Sequence, residues 1–448
     1  MTSFDWLLPG FGHLRHGFRR QATKYLLFMG VWLLVAIFRA GRIAALFAPP
    51  RKLEAYVALA FLALWPVLWI VSARRGLRRL LAPERRESLS QWRIAMGMLE
   101  RNRRAVLGMR LLGIVYMVAF LCPVLAPYDP EFTPPDTIVN KQARPNSTIF
   151  VLGDTRRGEI YCREFRLDAE DPSKVFLDRA EEFAHKSVAL DKLGEPKGGW
   201  RNPPTGVRRI GDRDVPFRAE YHAFGTDDLG HDILSQLIYG SRISLSIGFI
   251  AMAIAVVIGA LVGASAGYLG GWVDFTLMRI VDVLLAFPRL LLLLLIYAAY
   301  AAVKRQASIF VVVAILGATG WMGVARLVRA QILSLKELDF TQAARALGLG
   351  RWRIMTRHLL PNATAPIIVD GTLRVGDTIL TEAALSFLGM GVQRPTPSWG
   401  NVVESGSKVL AEAWWIATLP GLAIVFVVVS FNLVGDALRD ALDPKLRQ

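Results

Sequence analysis

The feature that most constrains this chain is a series of apolar runs about as long as a membrane is thick. A hydrocarbon core of about 30 Å needs roughly 20 apolar residues in a helix, and only helices and closed barrels satisfy the backbone there. Runs of that length recur along a sequence of 448 residues that is 53% hydrophobic and has a mean hydropathy of +0.37. That balance is too apolar for an ordinary soluble protein. We therefore predict an all-α polytopic membrane protein.

The later part of the sequence predicts six spans. They cover residues 105–126, 243–266, 276–300, 308–327, 366–388 and 414–434. Two earlier runs, 25–47 and 55–73, predict an N-terminal helical hairpin. Arg39 and Arg42 interrupt the first of these runs, so an interfacial or re-entrant first segment is the alternative.

Basic residues set the predicted orientation. Ten arginines lie in residues 74–104, and the positive-inside rule places such a segment in the cytoplasm. Residues 128–231 are then external, whereas both termini and the basic loop 328–365 are cytoplasmic; only the short pair Lys304-Arg305 disagrees. The net charge of +16 is explained by this topology. No aromatic-interleaved basic groove accompanies the charge, so we expect no nucleic-acid partner.

The composition predicts four parts. They are an N-terminal hairpin with a basic linker (1–104), a first span (105–127), an external insertion (128–231) and a core (232–448) with a cytoplasmic loop at 331–364. The insertion is rich in charged residues, Pro and Gly, with short β-like pieces and a helical patch near 175–190, so we expect a mixed α/β unit. It is either a solvated spacer or a small folded unit that meets an external partner. Cys122 and Cys162 provide neither a disulfide framework nor metal-ligand spacing.

A polar, helix-prone loop interrupts the apolar C-terminal half. Its pattern predicts one helix over 335–346, a reversal at Gly348 and Gly350, and a second helix over 351–360 that Pro361 ends. A short structured loop on the basic side of a membrane protein is typical of a docking surface for a cytoplasmic partner.

Four further stretches, in order, resemble one family. They are Ala126-Pro-Tyr-Asp-Pro130, residues 224–245 beginning Phe-Gly-Thr-Asp-Asp-Leu-Gly-His-Asp, residues 382–391 followed by Pro397-Ser-Trp-Gly400, and residues 432–444. From about residue 104 onward the chain is similar to the second permease subunit of dipeptide/oligopeptide/nickel ABC importers. The polar loop resembles the EAA loop of that family, which engages the ATPase subunits. The resemblance implies a type I ABC-importer permease fold with six family spans, to which the hairpin and the insertion are additions.

The resemblance also implies a function and partners. The chain would be a permease subunit of an ATP-driven importer in a bacterial or archaeal inner membrane, surrounded by lipid. Its partners would be a second homologous permease, two cytoplasmic ABC ATPases and an external substrate-binding protein. Peptides or peptide-like solutes are the expected cargo, with nickel or a sugar oligomer as alternatives. Two rival classes are an ion-gradient-driven secondary transporter and a non-transporting membrane scaffold.

No catalytic role is expected for the chain itself. It has no phosphate-binding loop and no ABC signature, so ATP hydrolysis is expected on its partners. Its six histidines are scattered, and we expect no metal site and no cofactor.

The coupling residues follow from the EAA resemblance. We expect them to be Gln342, Ala343, Ala344, Gly348, Trp352, His358 and Pro361. Ala343 and Ala344 would permit close approach to the partner, and Leu347 and Trp352 would be apolar anchors. Gln342 stands where the family usually has Glu, and likewise His231 and Gln236 replace arginines that are usual in the stretch 224–245.

Charged residues inside a predicted span form the second candidate site. Asp370, Arg374 and Asp377 are spaced by four and three residues, so they share one helical face. In the structural interpretation, both aspartates neutralise Arg374. In the functional interpretation, these residues line the translocation path. Glu382 is expected to be buried at a subunit contact. The glycines at 259, 263 and 267 permit close helix packing, which would suit a second permease.

Overall fold

The chain consists of a helical part and a β-sheet unit. The computed structural model describes residues 97–100, 102–131, 141–154, 158–179, 186–194, 206–210, 213–303 and 308–442, with a few isolated positions elsewhere. Apart from those positions, the N-terminal hairpin, most of the basic linker, Lys304-Arg305 and the last six residues lie outside the described residues.

The described helices account for most of the chain after the insertion. They are α1 (Arg103–Phe120), α2 (Cys122–Leu125), α3 (Ile233–Leu269), α4 (Gly271–Leu285), α5 (Arg289–Val303), α6 (Ile309–Leu335), α7 (Asp339–Ala346), α8 (Arg351–Ile354), α9 (Leu360–Phe387), α10 (Trp399–Ser407) and α11 (Trp414–Leu442). Among the described residues, α3, α6 and α11 are long and apolar enough to cross a membrane, and the α4–α5 pair would add a fourth span. The helices α1 and α9 occupy the two other predicted spans but carry several charges. The count of six spans stays a prediction.

The predicted span over 276–300 is divided into two helices. The chain bends by 90° between α4 and α5. Pro288 lies in the break, where it supplies no backbone N–H and disfavours helical dihedrals at Phe287. The bend makes Arg289 the first residue of a new helix.

The insertion folds as β-structure in its described residues. Its strands are β1 (Ser147–Asp154), β2 (Gly158–Cys162), β3 (Glu164–Leu167), β4 (Lys174–Asp178), β5 (Lys186–Ala189), β6 (Leu193–Gly194), β7 (Gly206–Ile210) and β8 (Arg213–His222). One antiparallel sheet has the order β2-β1-β8-β7, with β6 also beside β1, and the other has the order β3-β4-β5. Both sheets contribute to a shared apolar core.

The helical patch expected near 175–190 is absent from the described residues of that segment, of which 180–185 are not part. Residues 174–178 and 186–189 form strands β4 and β5, and a short 3-10 turn begins at Leu190. Val175 and Leu177 are fully buried while their neighbours along β4 are less so, which is the two-residue period of a strand. The buried face of β4, which carries Val175 and Leu177, packs against Phe165, and this packing determines the local structure.

The centre of the helical part is the contact between α3 and α6. Three glycines of α3 face α6 at the predicted four-residue spacing. A Cβ at Gly259 would lie 2.5 Å from Val324 Cβ, and one at Gly263 would lie 2.3 Å from the Ala325 carbonyl oxygen. Glycine is therefore required for this approach. The predicted close approach of another helix is confirmed, but that helix is α6 of the same chain and not one of a second permease.

We predict that Gly263→Ala destabilises the protein. The added methyl group overlaps backbone of α6, which costs about 1–3 kcal/mol. The thermal unfolding midpoint of the detergent-purified protein should fall. Gly113→Ala is the matched control, since no atom lies within 4 Å of a Cβ at that helical position. Equal midpoints for the two variants would contradict the packing argument.

Candidate functional site

The polar loop begins with α7, which ends in a Schellman motif. Gly348 has φ +73°, and its N–H donates to the Arg345 carbonyl at 2.9 Å. The Leu349 N–H donates to the Ala344 carbonyl at 3.2 Å, which completes the motif. The predicted reversal at Gly348 is therefore present, because glycine adopts this left-handed conformation without strain. Gly350, by contrast, has φ −63° and precedes α8.

The expectation that Pro361 ends the second helix is wrong. The π turn Met355–Leu359 joins α8 directly to α9, so the chain is helical from residue 351 to residue 387. The Leu360 N–H donates to the Met355 carbonyl, five residues earlier. In an ordinary α turn the ring of Pro361 would clash with the carbonyl group four residues earlier. The wider π turn accommodates the ring. The predicted helix over 335–346 is also divided, because α6 ends at Leu335 and α7 starts at Asp339.

The predicted coupling residues differ in exposure. Gln342 and Ala343 are exposed, and the Gln342 amide donates to the Glu337 carbonyl at 3.2 Å. Ala344 is buried against the chain's own core, so it is not available for close approach to a partner. Leu347 is 81% exposed and Trp352 is 67% exposed, which leaves two large apolar side chains on the surface. His358 is half-buried in the π turn, where its carbonyl accepts a hydrogen bond from Asn362 at 2.6 Å.

Two interactions that the sequence did not reveal hold α7 in place. Thr341 is fully buried, and its hydroxyl donates to the Leu335 carbonyl at the end of α6 at 2.9 Å. The Arg345 guanidinium lies 5.6 Å from the ring centroid of Tyr268 near the end of α3, within the range of a cation–π contact. The buried faces of α7 and α8 join the apolar cluster between α3 and α6. The loop is therefore a structured extension of the central helices.

The charged face of α9 has different partners from those expected. The Arg374 Nε donates to the Asp370 carboxylate, one turn earlier. Asp377 instead accepts a hydrogen bond from Arg289 at the start of α5. The prediction that both aspartates neutralise Arg374 is therefore wrong. Arg289 could have been suspected from the sequence, because it follows a proline inside a predicted span.

Two similar ion pairs connect α4 to α6. Arg329 and Asp274 form a two-point contact, with Nη2 at 2.6 Å from one carboxylate oxygen. Arg326 pairs with Asp282. Each pair neutralises charge on otherwise apolar helices, where an unpaired charge is costly.

Glu382 is buried within this chain and not at a subunit contact as expected. Its side chain is fully inaccessible, and one carboxylate oxygen accepts hydrogen bonds from Ser386 at 2.7 Å and Ser398 at 3.1 Å. The other oxygen accepts a longer bond from Ser244 of α3 at 3.4 Å. This network ties α9 to α3 and to the start of α10. Its arrangement indicates a structural role.

A second buried carboxylate joins the insertion to α3. One oxygen of Asp227 accepts hydrogen bonds from the backbone N–H groups of Leu229 and His231, both at 2.8 Å. The other oxygen accepts from the Gln236 amide at 2.9 Å and contacts the His231 ring at 2.9 Å. His231 and Gln236, the two departures from the family pattern, thus serve the same carboxylate. Burial raises the pKa of Asp227, but the His231 hydrogen bonds and the charge of Arg394 outweigh burial and lower it.

An adjacent polar contact anchors the end of the β-unit. Asp232 caps α3 by accepting from the Ser235 N–H at 2.8 Å, and its other oxygen lies 2.9 Å from His222 Nδ1 at the end of β8. The Ser235 hydroxyl also accepts from the Tyr128 N–H at 2.9 Å. The start of the insertion, its end and α3 therefore meet at one polar joint. Within the described residues, no group of three or more His, Cys, Asp and Glu side chains could hold a metal ion.

Comparison with known proteins gives matches over the helical part. The family model described as binding-protein-dependent transport system inner membrane component matches residues 255–448, and the N-terminal TM domain of oligopeptide transport permease C matches residues 90–145. The dipeptide transport system permease protein DppC of Alkalihalophilus pseudofirmus is 44% identical over 226 residues, covering 50% of this chain and 73% of the relative.

Two further relatives and one solved structure are similar to the chain. The glutathione transport system permease protein GsiD of Pectobacterium atrosepticum is 43% identical, covering 50% of this chain and 73% of its own length. DppC of Bacillus subtilis is 40% identical, covering 56% of this chain and 77% of the relative. A structure titled as an inward-facing MetNI methionine ABC transporter is 18% identical with a TM-score of 0.39, covering 47% of this chain and 98% of that chain.

We predict that Asp227→Asn weakens the polar joint in a pH-dependent manner. Losing hydrogen bonds to a buried charge should lower the free energy of unfolding at pH 7 by about 2–3 kcal/mol. Because the folded-state pKa of Asp227 is lowered, its stabilising effect is present above the ordinary carboxyl pKa and disappears as the pH falls through the folded value. Thermal midpoints of wild type and variant, measured from pH 7 downwards, should therefore converge at acidic pH.

The neighbouring Asp228→Asn provides the matched control. Asp228 is more exposed and pairs with Arg394 at 3.1 Å, so its loss should cost less than about 1 kcal/mol. A gap between Asp227→Asn and wild type that stayed constant with pH would refute the assignment.

Proposed function

We propose, on the premise that this chain belongs to the family of binding-protein-dependent transport system inner membrane components, that its α7–α8 loop couples import to ATPase subunits. The chain is a permease subunit of an ABC importer, and its relatives are named as permease proteins of such transport systems. Family membership gives no support to the secondary-transporter and scaffold interpretations. The observation that carries the coupling proposal is the exposure of Leu347 and Trp352 on a loop that continues into α9.

The loop is suited to transmit force. Its outer surface offers two apolar anchors beside the exposed Gln342 and Ala343, while its inner surface packs on the central helices. Because α8, the π turn and α9 form one continuous helix, a displacement of Trp352 would be carried along α9. Closure of two ATPase subunits on ATP would thus bias the permease between inward- and outward-facing states.

We propose peptides or peptide-like solutes as the cargo. Two relatives are named for dipeptide transport and one for glutathione transport. The complex would contain a second homologous permease, two cytoplasmic ATPases and an external binding protein. The chain would cross the inner membrane six times in its family core, with both termini and the α7–α8 loop in the cytoplasm.

The remaining predicted residues have proposed roles in this scheme. Gln342 and Ala343 would contact the ATPase, whereas Ala344, His358 and Pro361 would shape the loop from within. Asp370, Arg374 and Asp377 would line the path, because a half-exposed carboxylate inside a span faces a partner or water more favourably than lipid. The β-unit would meet a partner on the external side.

We predict that Gly348→Pro leaves the permease in the membrane but abolishes ATP-driven uptake. Proline cannot adopt φ +73°, and it removes the N–H that donates to Arg345. Gly350→Ala is the control, because φ is −63° there and no atom lies within 4 Å of a Cβ. Membrane fractions and uptake by cells expressing each variant provide the measurement. Unchanged uptake and ATPase activity in Gly348→Pro would refute the coupling role.

We also predict that Leu347→Ser reduces recovery of the ATPase subunits at least about fivefold. Removing a side chain that is an anchor buried in an interface costs roughly 1–2 kcal/mol or more of binding free energy. The measurement is affinity purification from the native membrane in mild detergent, with subunits quantified by mass spectrometry. Leu410→Ser is the control, since Leu410 is also exposed but lies between α10 and α11. Absence of any ATPase from the wild-type preparation, even after crosslinking, would overturn the proposed complex.

A further inference from the structure

The break between α4 and α5 places a cationic helix start against the charged face of α9. Arg289 is the first residue of α5, a helix of 15 residues. The first N–H groups of a helix lack intrahelical acceptors, and the helix dipole makes this end electropositive. Asp377 of α9 supplies the negative charge that Arg289 contacts. The broken helix and the charged face of α9 therefore form one site.

A small cavity opens at this site between α3, α5, α6 and α9. Its charged lining consists of Arg289, Arg374 and Asp377, and apolar or small residues of α3 and α6 complete the wall. Asp370, which neutralises Arg374, does not line the cavity. Arg374 is thus already paired, so the hydrogen-bonding capacity that this cavity offers to a negative group lies on Arg289.

The bonding of Arg289 is also incomplete. One terminal nitrogen contacts Asp377, but the buried Nε has no hydrogen-bond partner among the described residues. A guanidinium binds a carboxylate best through two parallel hydrogen bonds. Asp377 is 55% exposed, so it can move away from Arg289 without leaving a buried charge behind. Another carboxylate can therefore replace Asp377 as the partner of Arg289.

We propose that Arg289 binds the terminal carboxylate of a peptide during translocation, with Asp377 as the ligand that the carboxylate displaces. This inference rests on the proposed peptide transport function. Exchange of one carboxylate for another keeps the guanidinium paired throughout, and the released Asp377 would be solvated in the water-filled path that it is proposed to line. Because Asp377 competes for the same guanidinium, the contact between the peptide carboxylate and Arg289 is short-lived.

The test compares trialanine with trialanine amide, which lacks the terminal negative charge. The whole complex, with its ATPases and binding protein, is reconstituted in liposomes, and each solute is supplied at a concentration that saturates the binding protein. The measured quantity is the ratio of ATP-driven uptake rates, free acid over amide. Arg289→Gln should lower this ratio about tenfold, which corresponds to one lost charged hydrogen-bonding contact. Arg289→Lys, which keeps the charge but not the fork, should give an intermediate ratio.

Asp377→Asn distinguishes binding from a merely structural ion pair. Removing the competitor should raise the free-acid preference, whereas Arg289→Gln lowers it. A structural ion pair would instead reduce both rates in the same way from either side. Arg326→Gln is the matched control, because Arg326 forms a comparable pair with Asp282 but does not line the cavity. Its ratio should equal that of wild type.

The outcomes separate this inference from the proposed function. If wild type transports neither solute, the peptide function itself fails. If wild type transports trialanine and the ratio is unchanged in both Arg289→Gln and Asp377→Asn, the function stands and the carboxylate site is refuted. Equal shifts in Arg289→Gln and Arg326→Gln would likewise refute the site.

Discussion

The helical part of this protein depends on the neutralisation of charge inside apolar helices. An ionised side chain that faces lipid without a partner is too costly to keep, so each one constrains its neighbours. Asp274 and Asp282 bind α4 to α6, and Asp377 binds α9 to α5. Glu382 uses three serine hydroxyls in place of a cation, and thereby joins α9 to α3 and α10. These pairs determine how the helices are arranged around the close α3–α6 contact.

The same helix carries both the coupling loop and the charged face. Because Pro361 follows a π turn, it does not interrupt the chain between Trp352 and Asp377. A displacement at the surface of the loop therefore has a direct mechanical route to the cavity beside Arg289. The π turn is an irregular point on that route, as is Pro366 inside α9, and such turns are common at functional positions in helices. Coupling and solute contact would then lie at two ends of one continuous helix.

On the opposite side, the insertion is attached through polar contacts. Asp227 and Asp232 each collect several hydrogen bonds from the segment that leads into α3. His231 and Gln236 both contact Asp227, so donors from this segment satisfy the buried carboxylate. The β-unit is in this way held close to the start of the central helix.

The sequence by itself determined the membrane class, the positions of the long apolar helices, the family and the reversal at Gly348. These features follow from local patterns: apolar length, ordered motifs, and the left-handed conformation that glycine permits. Only the tertiary structure decided that Asp377 pairs with Arg289, that α6 covers the glycines of α3, and that residues 174–178 and 186–189 form strands. It also decided that Pro361 lies inside a continuous helix and Ala344 faces inward. Those outcomes depend on which distant groups meet in space, and long-range packing and charge pairing override the preference of any short segment.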